Sequence, residues 1–461
     1  MKKRQIVIIG AGLTGLTTAF FLKQKGLDVL ILEEKSIIGG QIQTVKENGF
    51  IFESGPNTGI LSYPEVVEMF NVLSPRCNLV TANEDAKKRL IWKGNQYHAL
   101  PSGIISALQT PLFSWYDKFR ILGEPFRRKG DDPFESVADL AVRRLGKSYL
   151  DYAVDPFLSG VYAGDPNKLI TKFALPKLHN LEQQYGSFIK GSIAKVRTPK
   201  TRREKLATKK VFSAEGGLSS LVNALAEFIG KENILTSVTE TNINYENKEQ
   251  NWDITFRVGM EHYKLKANYL ITTVGSYRLP QLLPFIDKEE MLKLNNLYYA
   301  PVVQAAVGFS KESLSDFRVF GGLVPSCEKK SVLGILNPSA CFNGRTPEGG
   351  SLISVFIGGV RHPEYILKSD KELKDIISSS VSEMLGVNKT PDFIRIFRHE
   401  KAIPQYDISS GERFEAIDRV CHKYKGLFIK GNLCNGIGMA DRIHQAYNTA
   451  NEIAEAHGTG L

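Results

Sequence analysis

Cysteine is scarce in this sequence, and the few cysteines do not form a recognisable disulfide framework or zinc motif. The 461 residues include 5 cysteines, an odd number, and no Cys-x-x-Cys pair occurs. They are scattered along the chain, at Cys77, Cys327, Cys341, Cys421 and Cys434. Such sparse thiols are typical of a reducing compartment, so we expect a cytoplasmic protein without structural disulfides.

The sequence also lacks a clear set of side chains for metal binding or nucleophilic catalysis. Its 8 histidines are dispersed, and no Ser-His-Asp arrangement stands out. Cys421 and His422 are adjacent, but sequence neighbours seldom form a catalytic pair, which is usually brought together by the fold. We therefore expect no metal ion and no catalytic acid–base residue.

Long apolar runs are missing as well. None reaches the ~18–20 residues that a membrane-spanning helix needs. Lys2, Lys3 and Arg4 precede the apolar run Ile6–Ile9 in the manner of a signal peptide, but a buried strand before a glycine motif explains that run better. Only a peripheral contact with the cytoplasmic membrane is left open.

Acidic residues are outnumbered, with 49 Asp and Glu against 59 Lys and Arg and a formal net charge of +10. Basic proteins attract carboxylated substrates, anionic lipids or nucleic acids. Because no DNA- or RNA-binding motif is present, we expect no nucleic-acid partner. The densest basic stretch, residues 195–210, is interpreted as an exposed mobile loop. The alternative interpretation is that this stretch is attracted to anionic lipid headgroups, which would contribute roughly 1 kcal/mol of binding free energy per basic residue.

The strongest motif present is a short apolar run followed by three spaced glycines. Ile6–Ile9 is rich in β-branched residues, as is typical of a strand buried on both faces of a parallel sheet. Gly10 allows a tight turn, Gly12 lets the backbone approach a pyrophosphate, and Gly15 lets the next helix pack closely on the strand. The N-terminus of that helix would face the phosphates.

A second strand supports the same interpretation. Val29–Leu32 is again wholly apolar, and Glu33 follows it directly. A carboxylate at this place can accept hydrogen bonds from ribose hydroxyls and would repel a 2′-phosphate. Strand, glycines, helix and acid together predict a dinucleotide-binding domain.

The rest of the chain changes pattern several times. Residues 101–191 are largely helical, and residues 298–400 are mainly strand-like with one helix at 371–385. A last strand at 426–432 and a helix at 439–457 return to the dinucleotide-binding pattern. A chain of 461 residues is expected to form about two or three domains, and here the second is inserted in parts.

Two segments between these regions alternate in polarity like a hairpin, Trp252–Val258 and Tyr263–Tyr269. The apolar run Leu270–Val274 follows them and predicts a further buried strand.

Several motifs resemble those of the flavin-containing amine oxidase superfamily: Gly10-x-Gly12-x-x-Gly15, Glu33, Gly39-Gly40 and Gly431-Asn432. Others are similar to the protoporphyrinogen/coproporphyrinogen oxidase family, namely Glu53-Ser-Gly-Pro-Asn57, Arg143-Arg-Leu-Gly146, Pro156-Phe-Leu-Ser-Gly-Val-Tyr-Ala-Gly-Asp-Pro166 and Pro176–Gly186. The Ser-Gly-Val-Tyr-Ala-Gly-Asp-Pro string is highly specific to that family. The resemblance covers essentially the whole chain.

The resemblance implies an α/β fold in which a Rossmann-like FAD-binding domain is interleaved with an α+β substrate domain and a helical insertion. The expected FAD-binding segments are 1–87, 195–290 (which starts with the basic loop) and 411–461. Substrate-domain segments are expected at 88–100, a strand, and 291–410. The helical insertion, a candidate membrane-facing part, is expected at 101–194.

The cofactor implied by the resemblance is non-covalent FAD. Its expected binding residues are Gly10, Gly12, Gly15, Glu33, Gly39, Gly40, Val238, Gly431, Gly436 and Ile437, the last two presenting backbone to the pyrimidine edge of the flavin. The strand before this loop departs from the family pattern, because Gly431-Asn-Leu-Cys434 stands where Gly-Asn-Tyr-Arg is usual. Cys434 is interpreted as a small buried residue.

The implied substrate site is an apolar slot with cations at its rim. Leu323, Leu336 and Phe356 correspond to residues that surround the macrocycle, and Asn57 to an asparagine near it. The family-specific string contributes Gly160 and Gly164. Either Lys88 or Arg89 would bind a propionate, and loss of such a charged hydrogen bond would cost roughly 1.5–3 kcal/mol.

The implied reaction is the oxidation of a porphyrinogen to the porphyrin in haem biosynthesis, with a hydride passing to flavin N5 and dioxygen reoxidising the flavin to give hydrogen peroxide. Because aromatisation drives the reaction, the protein has to supply geometry. Positioning can contribute roughly 7–11 kcal/mol, and the hydride chemistry belongs to the cofactor. Other enzymes of the haem pathway are candidate partners.

The substrate is expected to be protoporphyrinogen IX, with coproporphyrinogen III as the alternative. A more remote alternative is a flavin amine oxidase, although Gln304 stands where those enzymes commonly carry a lysine. A carotenoid desaturase would lack the family-specific string, and a non-catalytic relative of the Rab-escort type would hold no flavin.

Overall fold

The structure is a computed structural model that describes residues 2–310, 314–387 and 389–458. The strands, numbered along the chain, are β1 (Lys2–Ile9), β2 (Val29–Leu32), β3 (Thr44–Glu47), β4 (Phe50–Glu53), β5 (Gly59–Ile60), β6 (Leu79–Thr81), β7 (Arg89–Lys93), β8 (Gln96–Ala99), β9 (Val211–Ala214), β10 (Ile234–Leu235), β11 (Val238–Glu246), β12 (Asn251–Val258), β13 (Glu261–Thr272), β14 (Tyr299–Phe309), β15 (Gly321–Leu323), β16 (Val332–Leu336), β17 (Ser351–Gly358), β18 (Phe393–Pro404) and β19 (Leu427–Ile429).

The helices are α1 (Leu13–Gln24), α2 (Pro64–Leu73), α3 (Ile104–Gln109), α4 (Trp115–Leu122), α5 (Val137–Arg144), α6 (Lys147–Tyr149), α7 (Asp155–Tyr162), α8 (Thr171–Ala174), α9 (Pro176–Tyr185), α10 (Phe188–Arg197), α11 (Leu218–Ile229), α12 (Leu279–Leu282), α13 (Lys288–Asn295), α14 (Pro338–Cys341), α15 (Asp370–Leu385), α16 (Ser410–Lys423) and α17 (Met439–Ala456). A π-helical turn, Leu150–Val154, joins α6 to α7. Within the described residues, no helix is both long and apolar enough to cross a membrane.

The first large sheet is the α/β layer that the N-terminal motif predicts. Its seven strands follow the order β10-β2-β1-β13-β12-β11, with β19 also paired to β13. β10, β2, β1, β13 and β19 run parallel, so their carboxyl ends meet at one edge of the sheet. The fold class expected from the sequence is confirmed.

Both faces of this parallel layer are covered. Helices α1, α11 and α17 pack on one face, and α16 packs on the other. Within β1, Ile6 and Ile8 point to the first face, and Val7 and Ile9 point to the second. This double coverage explains why β1 and β2 are uninterrupted apolar runs.

The predicted hairpin is present, but its second strand is longer than expected. β12 and β13 pair antiparallel from Val258 and Glu261 onward. The separate strand predicted at Leu270–Val274 is instead the end of β13, which there pairs in parallel with β1 and β19. A single strand serves both pairings because the antiparallel ribbon continues directly into the parallel layer.

The second large sheet also has seven strands, in the order β18-β14-β17-β16-β15-β7-β8. Helix α15 covers one face with Leu373, Ile377 and Val381, which recur at helical spacing. Ser369 caps this helix in a reciprocal pair of hydrogen bonds with Glu372. The opposite face packs in part against β4 and against Ala163 after α7, and the residues expected to bind substrate lie on this face. The predicted domain segments stay a prediction, since their boundaries are not tested by the sheets alone.

Helices α3 to α10 form a separate layer that is fastened by buried charge. The Glu124 carboxylate pairs with Arg144 and accepts hydrogen bonds from Ser187 and from the amides of Phe188 and Ile189. Burial raises the pKa of Glu124, but these donors outweigh burial, and the net pKa lies below its ordinary value. Glu124 is therefore held as a carboxylate.

The basic stretch after α10 lies against α2. Arg203 Nε donates to Glu68 Oε1 at 2.7 Å, and its Nη2 lies 3.3 Å from Glu65 Oε2. Most of the stretch after α10 is exposed, as expected, but two carboxylates on one helix pair with the Arg203 guanidinium. Apolar patterning gives no indication of such a long-range ion pair.

Candidate functional site

The three glycines of the N-terminal motif form the turn between β1 and α1. A Cβ at Gly15 would lie 2.0 Å from Gly10 O, so only glycine permits this close packing of helix on strand. At Gly12, by contrast, a Cβ would meet no atom within 4 Å. The turn therefore has room for a ligand directly against the Gly12 backbone.

The N-terminus of α1 is prepared for an anion. No side chain caps this helix, and its first turn contains no acidic residue, so its free N–H groups and positive dipole end are unopposed. Gly39 N donates to Ala11 O at 2.8 Å, which brings the Gly39-Gly40 pair against the turn. A Cβ at Gly40 would lie 3.2 Å from Gly12 Cα. This cradle fits the pyrophosphate of a dinucleotide.

Glu33 lies at the carboxyl end of β2, beside this cradle. Its carboxylate accepts hydrogen bonds from Ala11 N at 2.7 Å and Lys35 N at 2.9 Å. Val238 N donates to Glu33 O at 2.9 Å, so the structure brings Val238 next to the acid. A carboxylate has about four lone-pair sites, which leaves acceptor capacity for ribose hydroxyls.

The 431–437 loop reaches the same edge of the sheet. β19 pairs with β13 next to β1, so the loop after β19 and the glycine turn after β1 emerge together. At Gly431 φ is +108° and at Gly436 it is +97°, a region that favours glycine. A Cβ at Gly436 would also lie 2.6 Å from Asp441 Oδ2. Two of the expected cofactor residues are thus required by the turn itself.

Cys434, in this loop, is buried. Burial raises the pKa of its thiol above the ordinary value. Gln445 Nε2 donates to Cys434 Sγ at 3.3 Å. The residue is therefore held as a neutral thiol, which agrees with its interpretation as a small buried side chain.

The residues expected to form the substrate slot lie on one face of the second sheet. Leu323 pairs with Gly334, and Gly334 pairs with Phe356. Residues directly opposite each other on neighbouring strands share a face, so Leu323 and Phe356 flank a position that has no side chain. In the next row Leu336 pairs with Ser354. Leu323, Leu336 and Phe356 are all half-buried, whereas the other face of the sheet is covered by α15.

Two hydrogen bonds tie this face to the segment that begins at the end of β4. The Ser354 hydroxyl donates to Asn57 Oδ1 at 2.8 Å. Gln304 Nε2, in register with Phe356 on β14, donates to Glu53 O at 2.7 Å. The structure therefore brings Asn57 to the slot and holds its amide in a fixed orientation.

A buried ion pair between Glu53 and Arg345 lies at the end of β4, next to these two hydrogen bonds. The Glu53 carboxylate accepts hydrogen bonds from Thr44 Oγ1 at 2.6 Å and from Arg345 Nη1 at 3.0 Å. Burial raises the pKa of Glu53 above its ordinary value, although Thr44, Leu218 N and Arg345 oppose that shift. Arg345 also donates to Ser213 Oγ at 2.8 Å. These contacts join β4 to distant segments of the chain.

Helix α7 closes one side of the slot. A Cβ at Gly160 would lie 2.3 Å from Leu323 Cδ2, so the helix rests directly on a slot residue. A Cβ at Gly164 would lie 2.6 Å from Gln405 Oε1 and 2.9 Å from Leu169 Cδ1. Both glycines of the family-specific string therefore serve close packing, Gly160 against a residue of the expected slot and Gly164 against Gln405 and Leu169.

The two candidate cations differ in position. Arg89 starts β7 and pairs with Gly321, which in turn pairs with Leu336. Arg89 therefore belongs to the same cross-strand row as Leu336, and its guanidinium lies 5.4 Å from the ring centroid of Phe320. Lys88 precedes the strand and contributes a backbone carbonyl to Phe320 N. Both side chains are exposed.

Three further residues at the site were not among those predicted from the sequence, and only Ser354 carries a signal that could have identified it. Ser354 stands two positions before Phe356, and strand alternation alone places both on one face. Arg345 and Gln304 are polar residues at buried positions, and their partners are far away in sequence. Among the described residues, no group of three or more His, Cys, Asp or Glu side chains is placed to hold a metal ion.

Comparison with known proteins places the chain in context. The family model for flavin containing amine oxidoreductases matches residues 13–454. The chain is 30% identical over 467 residues to protoporphyrinogen oxidase 2, chloroplastic/mitochondrial, of Arabidopsis thaliana, which covers 95% of this chain and 92% of that protein. It is 26% identical over 471 residues to coproporphyrinogen III oxidase of Bacillus subtilis, covering 96% of each.

A solved structure shares the fold. It is that of a protein from Exiguobacterium sp. 255-15 proposed to be a protoporphyrinogen oxidase, with a TM-score of 0.79 and 21% sequence identity. The alignment covers 99% of this chain and 100% of the other. At this identity the likeness establishes the shared architecture.

Proposed function

The chain belongs to the flavin-containing amine oxidoreductase family, and we propose that it oxidises protoporphyrinogen IX to protoporphyrin IX, with FAD as the hydride acceptor and dioxygen as the final oxidant. One observation carries this proposal. Leu323, Leu336 and Phe356 lie on one apolar face of the second sheet. Ser354 on the same face is hydrogen-bonded to Asn57, in a segment that packs against Gln41, next to the Gly39-Gly40 pair of the cradle. Such a face suits a large flat apolar substrate.

The protein's own residues supply placement. The α1 cradle and Glu33 would hold the dinucleotide, and FAD would supply the hydride acceptor when bound. Leu323, Leu336 and Phe356 would hold the macrocycle flat and exclude water from it. Asn57, fixed by Ser354, would set the depth of the macrocycle in the slot. Holding the reacting groups in line can contribute roughly 7–11 kcal/mol.

Arg89 is the cation that we assign to a substrate propionate. Its row also contains Leu336 and Ser354, so its side chain leaves the sheet on the slot side. Lys88 lies one residue before the strand and has no such register. An exposed guanidinium can bind a carboxylate in a bidentate way, which would orient the macrocycle within the slot.

We further propose that the α3–α4 region contacts an anionic membrane. Trp115, Tyr116, Phe119 and Leu122 on α4 are 60%, 73%, 66% and 66% exposed, and their spacing places most of them along one side of the helix. Lys118 on α4 lies 4.6 Å from the ring centroid of Trp115. Exposed aromatic and apolar side chains next to basic ones are typical of interfacial helices. Another haem-pathway enzyme is the alternative occupant of this surface.

Side-by-side turnover of two porphyrinogens tests the proposed reaction. FAD-loaded protein is mixed with protoporphyrinogen IX, coproporphyrinogen III or putrescine, and porphyrin fluorescence and peroxide are followed. The proposal expects the highest kcat/KM for protoporphyrinogen IX. A clear preference for coproporphyrinogen III would establish the alternative substrate, and turnover of the amine alone would refute porphyrinogen oxidation.

Vesicle sedimentation tests the membrane contact. Leu122→Ser is compared with Leu292→Ser on α13, a matched control because Leu292 is 72% exposed in another part of the surface. Binding to vesicles with anionic lipid should weaken in Leu122→Ser only, and should be weak on neutral vesicles. Equal binding by both variants would refute the assignment, and a loss of protein–protein pull-down without any vesicle effect would identify a protein partner instead.

A further inference from the structure

The backbone of the 431–437 loop is turned so that each carbonyl from Gly431 to Gly436 points into the protein. Three buried side chains supply the donors: Arg442, Tyr406 and Arg413. The hydrogen bonds run from Arg442 to the carbonyls of Gly431, Cys434 and Asn435, from Tyr406 to those of Asn432 and Gly436, and from Arg413 to that of Leu433.

The N–H groups of the same loop remain largely unused. Gly431 N donates to Gln445 Oε1, and Cys434 N makes a long contact to Gly431 O at 3.5 Å. Within the described part of the chain, the other N–H groups between Asn432 and Ile437 have no acceptor. Because an N–H points away from the carbonyl of the same trans peptide unit, these donors face the opposite side of the loop. The loop and the glycine turn after β1 are close, since Gly431 and Gly10 both pack against Thr273.

The two arginines bring positive charge without a matching carboxylate. Arg413 is 0% exposed and Arg442 is 6% exposed. Among the described residues, neither guanidinium forms an ion pair with Asp or Glu, and their donors go to backbone carbonyls, hydroxyls and Gln445. Burial lowers the pKa of Arg413, but arginine stays protonated at neutral pH. A charge that is buried without a counterion is costly, and a negative ligand beside it would relieve that cost.

The loop is also placed to meet the redox-active part of the cofactor. It follows β19, and α1 with its phosphate cradle follows β1; these two parallel strands flank β13, so both segments emerge at the same edge of the sheet. Flavin N1 and its adjacent carbonyl are acceptors that N–H donors can bind. Bound FAD would supply the acceptor for a hydride from the substrate, and acceptance of that hydride would add one negative charge to the flavin and leave one positive charge on the substrate.

We propose that the buried positive charges of Arg442 and Arg413 favour the reduced over the oxidised form of bound FAD, while the hydrogen bonds of both arginines and of Tyr406 to the loop carbonyls hold its N–H groups toward the flavin. This inference rests on the FAD-binding part of the proposed function and not on the identity of the porphyrinogen. Charge near flavin N1 is a recognised means of tuning the cofactor.

The test is the two-electron reduction potential of bound FAD, measured by dye-coupled reduction without any porphyrinogen. Arg442→Met and Arg413→Met are compared with Arg419→Met, a control on α16 whose side chain is 48% exposed and paired with Glu290. In each buried variant, the preference for reduced over oxidised FAD should fall about tenfold, a negative shift of about 30 mV. Arg419→Met should keep the potential of the unmodified protein.

Two further variants separate charge from geometry. Tyr406→Phe removes a donor to the loop but no charge, so it should weaken FAD binding and leave the potential unchanged. Arg442→Lys keeps the charge and should keep most of the potential, even if its FAD dissociation constant rises. The lysine variant thereby tests the proposal if Arg442→Met does not retain FAD.

Some results would overturn the inference. Potentials of the buried variants equal to that of Arg419→Met would do so, as would an equal negative shift in Tyr406→Phe or in Arg442→Lys. Failure of the proposed function has a different signature, because an enzyme that does not oxidise porphyrinogens can still show the potential shift. Conversely, unchanged potentials with normal turnover would refute only the role of the arginines.

Discussion

Replacing Gly160 by alanine is expected to impair substrate binding more than folding. The new Cβ would lie 2.3 Å from Leu323 Cδ2 and 3.5 Å from its Cγ, so the leucine has to move. The obstructed atom is the far end of a flexible side chain, and the backbone of α7 can stay in place. Because Leu323 is a half-buried residue of the slot, its displacement narrows or reshapes the space for the macrocycle.

Two opposing terms set the effect on stability. Overpacking typically costs about 1–3 kcal/mol, while replacing a helical glycine by alanine returns roughly 0.5–1 kcal/mol. The free energy of unfolding should therefore fall by no more than about 2.5 kcal/mol. We expect the displaced leucine to weaken substrate binding by about 1.4 kcal/mol, which raises KM about tenfold. We expect kcat to change less.

Steady-state porphyrin fluorescence and thermal unfolding measure both effects. Gly123→Ala is the matched control, since its Cβ would have no neighbour closer than 3.5 Å. The double variant Gly160→Ala/Leu323→Val removes the obstructed methyl and should recover part of the lost KM. A double variant as impaired as the sum of the two single changes would show that Gly160 does not act through Leu323.

Three more outcomes follow from the geometry. Ser354→Ala leaves the side-chain carbonyl of Asn57 without its hydrogen-bond donor and should lower kcat/KM about tenfold, by roughly 1–2 kcal/mol. The control Ser379→Ala, at an exposed position, should have no effect. Equal activities of the two variants would show that the orientation of Asn57 does not matter for turnover. Arg89→Ala should raise KM for a carboxylated porphyrinogen about 10-fold or more and leave KM for its methyl ester unchanged, and an equal rise for both substrates would rule out a carboxylate contact. Because the pKa of Glu124 is lowered on folding from 4.5, its stabilisation is present above that pH and lost as the pH falls below it. Thermal unfolding is measured between about pH 3 and about pH 7. The unfolding temperature of Glu124→Gln should depend less on pH than that of the unmodified protein, and an unchanged pH dependence would assign acid unfolding to other groups.

Local sequence rules were sufficient for elements whose role is set by their nearest neighbours. Ile6–Ile9 is buried on both sides by helices, and a strand with two buried faces has to be continuously apolar. Gly15 has to be glycine because the carbonyl oxygen of Gly10, in the preceding turn, would lie 2.0 Å from its Cβ. The cradle and the fold class were therefore predictable from short windows of sequence.

Contacts between distant segments were not predictable in this way. Asn57 and Ser354 are 297 positions apart, and no periodicity connects them. The Arg203 side chain belongs to a stretch that composition alone describes as a loop, yet carboxylates on α2 fix it. The resemblance to a known family supplied the slot residues, and the structure supplied their common face and the buried groups behind them.

The position of β19 has a consequence for when the cofactor site forms during synthesis. β19, residues 427–429, is the last strand to pair with β13. Helix α17 follows it and packs along α1. A growing chain that has made only the glycine turn and Glu33 still lacks the loop between these two late elements. On the proposed function, FAD should therefore be captured only when synthesis is nearly complete, and ribosomes stalled before Leu427 should carry colourless nascent protein.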